Sequence, residues 1–395
     1  MSRSLSGAVL RLRPGVFAEL QPRIDAAVAS GRDLVPLHIG DTCAAAPPLG
    51  EDWTREGSLG AYGATTALSE LRHAAAERLR SLGHGPSDVD PERHVLVGAG
   101  ATHALACAAR AVLSEGDEVL LLAPYWPLAH GIIAQAGAIP VEVPFTDRVD
   151  DPSFDITAQL SAACTDRTRA LYLITPNNPD GKVLSAATLE QLAAFAIERD
   201  LWVFADEAYA DWVYDGAHRS IAALPGMAAR TVSAYSASKS HALAGARIGF
   251  ALAAADVIAA ARRVSVHTVF NVPVAMQRAA LSALRAPPTW HDEIRARYRE
   301  ARDAMTGALR VAGLRLTIPE GGAYVFADFA PVLGGAPLTR LLEAAVEEGV
   351  LLTPGEAFGD AYRTWGRICF TSVPLERMAL GASRLCRAIE ALAAG

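Results

Sequence analysis

Short apolar runs alternate with amphipathic helical patterns through the middle of the chain, from about residue 94 to residue 252. Each run is apolar along its whole length, which is typical of parallel strands that are covered by helices on both faces. The alternation therefore predicts an α/β fold with a mostly parallel central sheet in a three-layer domain, where ligands bind at the carboxyl ends of the strands. The predicted strands are residues 94–100, 118–124, 139–145, 169–176, 201–207, 231–236 and 248–253.

The pattern changes after residue 271, where a long helical region extends to about residue 312. A strand-like segment at 313–329, a helix at 337–348, two shorter strand-like segments and a final helix follow. This mixed order predicts a smaller α+β domain. The expected division is an N-terminal arm at 1–45 that packs with the small domain, a large domain at 46–280 and a small C-terminal domain at 281–395.

Composition narrows the classes of protein that the chain can belong to. The 395 residues include 36 basic and 43 acidic side chains, a net charge of −7, and no basic stripe of the kind that binds nucleic acid. The most apolar stretch, residues 249–261, is interrupted by Asp256 and is too short to cross a membrane. The five cysteines are scattered and form no C-x-x-C motif, which is typical of reduced thiols in a cytoplasmic protein. We expect a cytoplasmic protein without a nucleic-acid partner, a membrane segment or a bound metal.

Polar residues follow three of the predicted strands directly. They are Asn177–Asn178, Asp206 and the segment Ser236–Lys239. The first group could be an ordinary turn, because Asn-Asn-Pro-Asp-Gly is favourable turn chemistry by itself. The carboxyl ends of parallel strands meet at one edge of a sheet, so the three groups together predict a ligand site.

A glycine loop follows the first predicted strand, in the segment VGAGATHALACAAR at residues 97–110. The backbone N–H groups of such a loop and of the helix that follows suit a phosphate group. The spacing Gly98-x-Gly100 is similar to a dinucleotide fingerprint, but His103 stands where the third glycine is expected. The loop therefore predicts a phosphate ligand without identifying it.

Lys239 lies among small and hydroxyl residues directly after a predicted strand, and two kinds of chemistry compete for it. The order Ser236-Ala-Ser-Lys239 matches the S-x-x-K motif of serine β-lactamases and penicillin-binding proteins. That interpretation requires partner segments of the S-D-N and K-T-G types further along the chain. Neither is present, since His267-Thr268-Val269 lacks the glycine.

The second interpretation makes Lys239 the amine that forms a Schiff base with a carbonyl cofactor. Such a site also needs a phosphate anchor, a carboxylate for a ring nitrogen and an aromatic stacking face. A solvent-exposed lysine is the commonest alternative, but it does not account for these neighbours. The candidates are the Gly98–Thr102 loop with Ser236 and Arg247, then Asp206, and then Tyr125–Trp126.

These residues carry a resemblance that covers nearly the whole chain. The chain is similar to fold-type I pyridoxal-phosphate (PLP) enzymes of the class I/II aminotransferase family, and its motifs follow one another in the order of that family. Each motif alone is of modest specificity, whereas the ordered set is highly specific. The matching segments are Tyr62 with Leu71–Arg72, Gly100–Thr102, Pro124–Pro127, Asn177–Gly181, Asp206–Tyr209, Ser236–Lys239 with Arg247, and Gly366–Ile368.

The resemblance implies a role for each matching residue. Lys239 would form the internal aldimine with PLP and then act as the base that moves the proton of the substrate α-carbon. Asp206 would keep the pyridine nitrogen protonated, and Tyr209 with Asn178 would bond the 3′-oxygen. The residues expected to stack on the ring or to hold the phosphate are Trp126, Gly100, Ala101, Thr102, Ser236, Ser238 and Arg247.

The resemblance also implies a homodimer with shared active sites. Tyr62 would reach the phosphate that the neighbouring subunit holds, and Thr268 would do likewise. Arg367 would bind the substrate α-carboxylate as a fork, with Gly40, Ile39 and Asn178 beside the substrate. His38, Ile39, Tyr324 and Phe358 are candidates for the wall that sets specificity.

Three positions depart from the pattern of the family. Ala67 stands where glycine is usual, which raises a question about the local backbone geometry. Asp180 replaces the usual threonine of the N-P-T-G turn, a change that a turn should tolerate. The loop LHIGDTCAAAPP at 37–48 departs from the usual entry of a glycine, an acid and a proline, because Thr42-Cys43 follow Gly40-Asp41, so the substrate preference is open.

The expected function is transfer of an amino group between an α-amino acid and a 2-oxo acid. A PLP-dependent lyase or cyclase on the same fold is the alternative, because the first chemical steps and the motifs are shared. An amino-acid sensor in a transcription regulator is disfavoured, because only about 45 residues precede the matching region. An inactive scaffold is disfavoured because Lys239, Asp206 and Arg367 are all present.

Overall fold

The computed structural model describes residues 5–13, 15–16, 20–54, 59–84 and 88–394. Strands and helices alternate through the first two thirds of the chain, as the apolar pattern predicts. The strands are β1 (Val35–Pro36), β2 (Val95–Ala99), β3 (Glu118–Ala123), β4 (Ile139–Pro144), β5 (Thr168–Ile174), β6 (Trp202–Asp206), β7 (Thr231–Ser236), β8 (Ile248–Leu252), β9 (Arg315–Leu316), β10 (Tyr324–Asp328), β11 (Val350–Leu351), β12 (Thr353–Pro354) and β13 (Trp365–Cys369). The α-helices are α1 (Gly7–Leu10), α2 (Gln21–Ala29), α3 (Ser69–Ser81), α4 (Pro91–His94), α5 (Ala101–Val112), α6 (Pro127–Gln135), α7 (Ile156–Ala163), α8 (Ala186–Glu198), α9 (Ala237–Ser240), α10 (Ala255–Val269), α11 (Val274–Leu284), α12 (Pro288–Val311), α13 (Ala330–Leu333), α14 (Leu338–Glu348) and α15 (Leu375–Ala394).

The largest sheet within the described residues has seven strands in the order β2-β8-β7-β6-β5-β3-β4. Strand β8 is antiparallel to both of its neighbours, and every other pairing in the sheet is parallel. The prediction of a mostly parallel α/β sheet is therefore confirmed. Each of the seven predicted strands matches an observed strand of this sheet to within two residues at either end.

Alternate residues of the central strands enter separate hydrophobic clusters on the two faces of the sheet. In β3, Val119 and Leu121 belong to one cluster, while Leu120 and Leu122 belong to another. Both faces are covered because helices pack on each of them, and this explains why the strands are apolar along their whole length.

The carboxyl-terminal part of the chain forms a second, smaller sheet in the order β12-β13-β10-β9, in which all the pairings are antiparallel. Helices α12 and α15 pack against each other beside it, and α14 packs on α15. Near the start of the chain, β1 pairs with β11 and α2 packs on α14. These contacts support the predicted association of the arm with the small domain, and the domain boundaries stay a prediction.

The parallel register brings the ends of three neighbouring strands together. Ile174 at the end of β5 lies opposite Asp206, and Asp206 lies opposite Ala234 of β7. The chain leaves each strand at the same edge, so the polar groups that follow β5, β6 and β7 become neighbours.

Gly249 in β8 lies between the strand that leads into the glycine loop and the strand that leads to Lys239. It lies opposite Gly98 on one side and opposite Ser236 on the other. A Cβ atom at Gly249 would lie 2.1 Å from the backbone nitrogen of Ala101, so only glycine fits between strand and loop.

We expect Gly249→Ala to lower the free energy of unfolding by about 2 kcal/mol or more, because β8 would have to move away from the loop. Gly307→Ala is the matched control, since Gly307 lies within α12 and an added Cβ would meet nothing within 4 Å. The control should raise the free energy of unfolding by up to about 1 kcal/mol, because alanine has a higher helix propensity than glycine. Thermal and urea unfolding measure both changes. Equal effects of the two substitutions would contradict the close packing at Gly249.

Candidate active site

A cavity of about 320 Å³ opens at the carboxyl edge of the central sheet, against the small domain. The structure brings most of the predicted site residues to its wall. They are Gly40, Ala101, Thr102, Trp126, Asn178, Asp206, Tyr209, Ser236, Ser238, Lys239, Arg247 and Arg367.

Lys239 lies on the short helix α9, which follows β7 directly. Its Nζ donates a hydrogen bond to the carbonyl oxygen of Gly40. Its backbone carbonyl accepts a hydrogen bond of 2.9 Å from Trp212 Nε1. The lysine is thus held from both sides, and its amine faces the cavity.

Asp206 is 6% exposed at the end of β6. One carboxylate oxygen accepts the N–H of Ala208 at 3.1 Å, and the other accepts the hydroxyl of Tyr172 at 3.1 Å. Burial raises the pKa of Asp206 to about 6, and these two hydrogen bonds oppose that change only in part. A carboxylate in this setting fits a protonated ring nitrogen, which would supply the missing counter-charge.

The glycine loop and Arg247 form a cradle for an anion. Gly100 has a φ of 81° and precedes α5, whose first N–H groups have no side-chain cap. A Cβ on Gly100 would lie 2.4 Å from Arg247 Nη2, so the guanidinium lies directly against the loop. Arg247 also donates to Ser238 Oγ at 3.2 Å. The helix N-terminus, the guanidinium and the hydroxyls together fit the phosphate of PLP.

Arg367 is 8% exposed and is held by neutral groups. It donates to Asn178 Oδ1 at 2.9 Å, to the carbonyl of His38 at 2.8 Å and to Thr353 Oγ1 at 3.3 Å. Among the described residues no carboxylate pairs with it, and its Nε is buried without a partner. A buried guanidinium in this state fits a carboxylate ligand.

Tyr324 and Phe358, which were predicted for the specificity wall, both lie against the guanidinium of Arg367. The guanidinium lies 4.2 Å from the ring centroid of Tyr324 and 5.0 Å from that of Phe358. The hydroxyl of Tyr324 also bonds that of Tyr209. A Cβ on Gly40 would lie 2.0 Å from Tyr324 Oη, which explains why glycine is needed there.

Several of the predicted residues lie outside the cavity wall, Gly100, Ile39, Tyr62 and Thr268 among them. The side chain of Ile39 is 52% exposed and does not line the cavity, although Gly40 beside it does. Tyr62 is 86% exposed and lies 5.0 Å from the ring of Phe270. Thr268 bonds His103 at 2.9 Å through its hydroxyl. A role of Tyr62 or Thr268 towards a second subunit stays a prediction.

The positions that depart from the family pattern are accommodated locally. Ala67 has a φ of 69°, so an alanine occupies the left-handed conformation that glycine normally takes. The carboxylate of Asp180 accepts hydrogen bonds from Thr146 Oγ1 at 2.7 Å, Asn177 Nδ2 at 2.8 Å and the N–H of Lys182 at 3.0 Å. Burial nevertheless raises the pKa of Asp180.

The sequence did not predict two sets of contacts beside the cavity, one made by Tyr172 and one made by Glu207. Tyr172 reaches Asp206 from β5, a contact that depends on the strand register and leaves no local signal. Glu207 accepts hydrogen bonds from Tyr235 at 2.5 Å, Ser220 at 2.6 Å and His218 at 3.3 Å. Burial acts to raise the pKa of Glu207, but the hydrogen bond and charge of His218, with Ser220, lower it overall.

The sequence profile of aminotransferase class I and II matches residues 40–385. The chain belongs to this family. Arginine–pyruvate transaminase AruH of Pseudomonas aeruginosa is 37% identical over 295 residues, which cover 74% of this chain and 73% of that protein. Aspartate aminotransferase of Pyrococcus abyssi is 32% identical over 87% of this chain and 89% of its own.

Solved structures agree with the sequence matches. Aspartate aminotransferase from Thermus thermophilus with maleate superposes with a TM-score of 0.88 over 98% of this chain and 100% of that one, at 29% identity. These relatives are named as aminotransferases, and the chain is a PLP-dependent aminotransferase of fold type I. No helix formed by the described residues is long and apolar enough to cross a membrane.

The raised pKa of Asp206 predicts a pH-dependent stability of the cofactor-free protein. The native state binds this proton more tightly than the unfolded chain, so the cost of the buried carboxylate develops as the pH rises from about 4 to about 6. Asp206→Asn should therefore stabilise the cofactor-free protein, relative to the parent, by an amount that grows to about 2–3 kcal/mol above pH 6.

Thermal unfolding of both proteins between pH 4 and pH 8 measures this difference. Asp166→Asn is the matched control, because Asp166 is exposed, and it should change the stability only slightly. A difference for Asp206→Asn that stays constant with pH would contradict the assignment.

Proposed function

We propose that this aminotransferase binds PLP in the cavity at the sheet edge and works as a cytoplasmic homodimer with Lys239, Asp206 and Arg367 as its central residues. One observation carries the proposal: these three side chains line a single cavity of about 320 Å³. They are an amine, a buried carboxylate and a guanidinium without a carboxylate partner among the described residues. An α-amino acid presents the complementary groups.

Each of the three central residues has a role that follows from the chemistry of its side chain. When bound, PLP supplies an electron-accepting ring that weakens the Cα–H bond of the amino acid. Arg367 holds the α-carboxylate of the substrate and so orients its α-carbon. The Nζ of Lys239 takes the proton from that α-carbon. The carboxylate of Asp206 keeps a proton on the ring nitrogen, because an ionised partner relieves its own burial.

The remaining predicted residues hold the cofactor in place. Arg247, Ser236, Ser238 and the N-terminus of α5, with Ala101 and Thr102, bind the phosphate. Trp126 would cover the ring, and Tyr209 with Asn178 would bind its 3′-oxygen. The five cysteines are free thiols, which supports a reducing, cytoplasmic setting.

The second subunit contacts an exposed aromatic surface that Tyr62 and Phe270 form. Tyr62 and Phe270 are 86% and 46% exposed, and their ring centroids lie 5.0 Å apart. Phe270 also has a φ of 61°, an unusual conformation for an aromatic residue. Large apolar groups exposed together are typical of an interface, and they support the proposal that Tyr62 completes the site of the partner.

We expect Lys239→Ala to reduce transamination at least about a thousandfold, because no other base replaces the amine at the α-carbon. Absorption of the bound cofactor during titration with amino acids, together with detection of the 2-oxo acid product, measures the reaction. Lys182→Ala is the matched control, since Lys182 pairs with Asp150 and Glu320 away from the cavity. Parent protein that binds PLP and releases ammonia without an amino product would overturn the proposal.

Mixing two inactive variants tests the shared site. In a hybrid of Lys239→Ala with Tyr62→Ala, one of the two sites combines a normal Lys239 with the normal Tyr62 of the other subunit. At limiting PLP, refolded mixtures should recover roughly a quarter of the parent activity. A mixture of Lys239→Ala with Asp206→Ala should recover none, because each subunit then damages its own site. The same low activity in both mixtures would argue against a contribution of Tyr62 across the interface.

A further inference from the structure

A second cavity of about 610 Å³ adjoins the one that contains Lys239, and the roles assigned above leave it unused. Thr102 and Leu128 line both cavities, so the two spaces meet at these residues. Thr102 lies in the first turn of α5 and Leu128 in the first turn of α6. The junction therefore lies beside the phosphate loop and the stacking residue Trp126.

The walls of the second cavity come from both domains and from the N-terminal arm. The large domain contributes the first turns of α6, including Pro127, Leu128 and Ile132. The small domain contributes Pro354 and Ala357. Pockets between domains are common positions for small-molecule ligands.

The small-domain wall is continuous with the residues that hold Arg367. Thr353 accepts a hydrogen bond from Arg367 and directly precedes Pro354. Phe358 lies 5.0 Å from the guanidinium and directly follows Ala357. An amino acid with its α-carboxylate at Arg367 thus has the second cavity next to it, along the same segment of chain.

The lining of this cavity is mainly apolar. Leu128 is 53% exposed in the structure, an unusual state for a leucine at the edge of a buried site. The other apolar side chains of the lining are Leu12, Val16, Leu20, Pro127, Ile132, Leu342, Pro354 and Ala357.

Among the described residues, the lining contains as many positively charged as negatively charged side chains. Arg13 bonds Glu142 at 2.7 Å and lies 3.5 Å from Asp360, so its charge is already matched. Glu356 and Arg363 are exposed and of opposite sign. Burial lowers the pKa of His130, which keeps that imidazole neutral at pH 7. A carboxylate or guanidinium at the end of a substrate side chain therefore gains less binding free energy in this cavity than an apolar group does.

We propose that the second cavity receives the side chain of the amino donor, and that the donor is an α-amino acid with a bulky apolar or aromatic side chain. This inference rests on the proposed function, because Arg367 and Lys239 define where the α-carboxylate and the α-carbon of the donor lie. Leu128 is the residue at which the side chain passes from the first cavity into the second.

The first test compares donors on the PLP-loaded parent enzyme. We expect kcat/KM for phenylalanine and leucine to exceed that for alanine at least about tenfold, because each buried methylene adds to binding. Aspartate and arginine should fall below both apolar donors. If aspartate, arginine or alanine is the best donor, the substrate class is wrong while the aminotransferase function stands. If no amino acid reacts, the proposed function fails, and this inference fails with it.

The second test uses Leu128→Ala, with Val311→Ala as the matched control. Val311 is 90% exposed at the end of α12 and lies in neither cavity lining. The ratio of kcat/KM for phenylalanine to that for alanine should fall about tenfold in Leu128→Ala and stay unchanged in the control. An unchanged ratio in Leu128→Ala would overturn the assignment of this residue.

Binding of unreactive acids gives a readout that is independent of turnover. Calorimetry on the PLP-loaded enzyme should show that 3-phenylpropionate binds more tightly than succinate, and that Leu128→Ala loses this preference. Succinate binding as tightly as 3-phenylpropionate, or more tightly, would overturn the proposal. Thermal unfolding of Leu128→Ala checks that the variant is folded, and Leu128→Met should restore the preference because it returns an apolar side chain of similar volume.

Discussion

The side-by-side alignment of β5, β6 and β7 is the constraint on which the rest of the site depends. Their register places the residues after Ile174, Asp206 itself and Ser236 at one edge of the sheet. Strand β8 then lies between the glycine loop and Ser236, with no space for a Cβ at Gly249. Groups that are far apart in the chain thus share one cavity because the backbone hydrogen bonds of the sheet hold them there.

Burial gives the charged groups of this edge their chemical character. Burial raises the pKa of Asp206 to about 6, although two hydrogen bonds from the described residues act to lower it. Arg367 is bonded by carbonyl, amide and hydroxyl oxygens and lies near two aromatic rings. The hydrogen bonds that position each charge come from neutral groups of the described residues, which on the proposed function leaves the charge available to the ligand. Water competes poorly in such a setting, which strengthens every ionic contact with the substrate.

The two domains contribute different parts of the recognition. The large domain supplies the lysine, the carboxylate and the phosphate cradle, whereas the small domain supplies Arg367 and the segment around Pro354. On the proposed function, a substrate would therefore contact both domains. On our proposals, the same segment of the small domain that supports Arg367 also forms a wall for the substrate side chain, so recognition of the α-carboxylate and of the side chain would be coupled through it.

The amino-acid pattern by itself determined the fold class and most of the candidate site. Continuous apolar runs specify strands that are buried on both faces, and polar residues at the ends of those runs specify which edge binds a ligand. The ordered motifs around Lys239, Asp206 and Arg367 then led to the family that the profile match shows. Such features are encoded locally, within a few residues of each position.

The tertiary structure alone decided the features that depend on contacts between distant segments. The bond from Tyr172 to Asp206 follows from the pairing of β5 with β6, and the placement of Tyr324 against Arg367 follows from the pairing of β10 with β13. Ile39 was expected beside the substrate but is half exposed, because the orientation of a side chain in a loop depends on what the loop packs against. The second cavity is formed by segments more than 200 residues apart in the chain, and no local pattern records which of their surfaces will face each other.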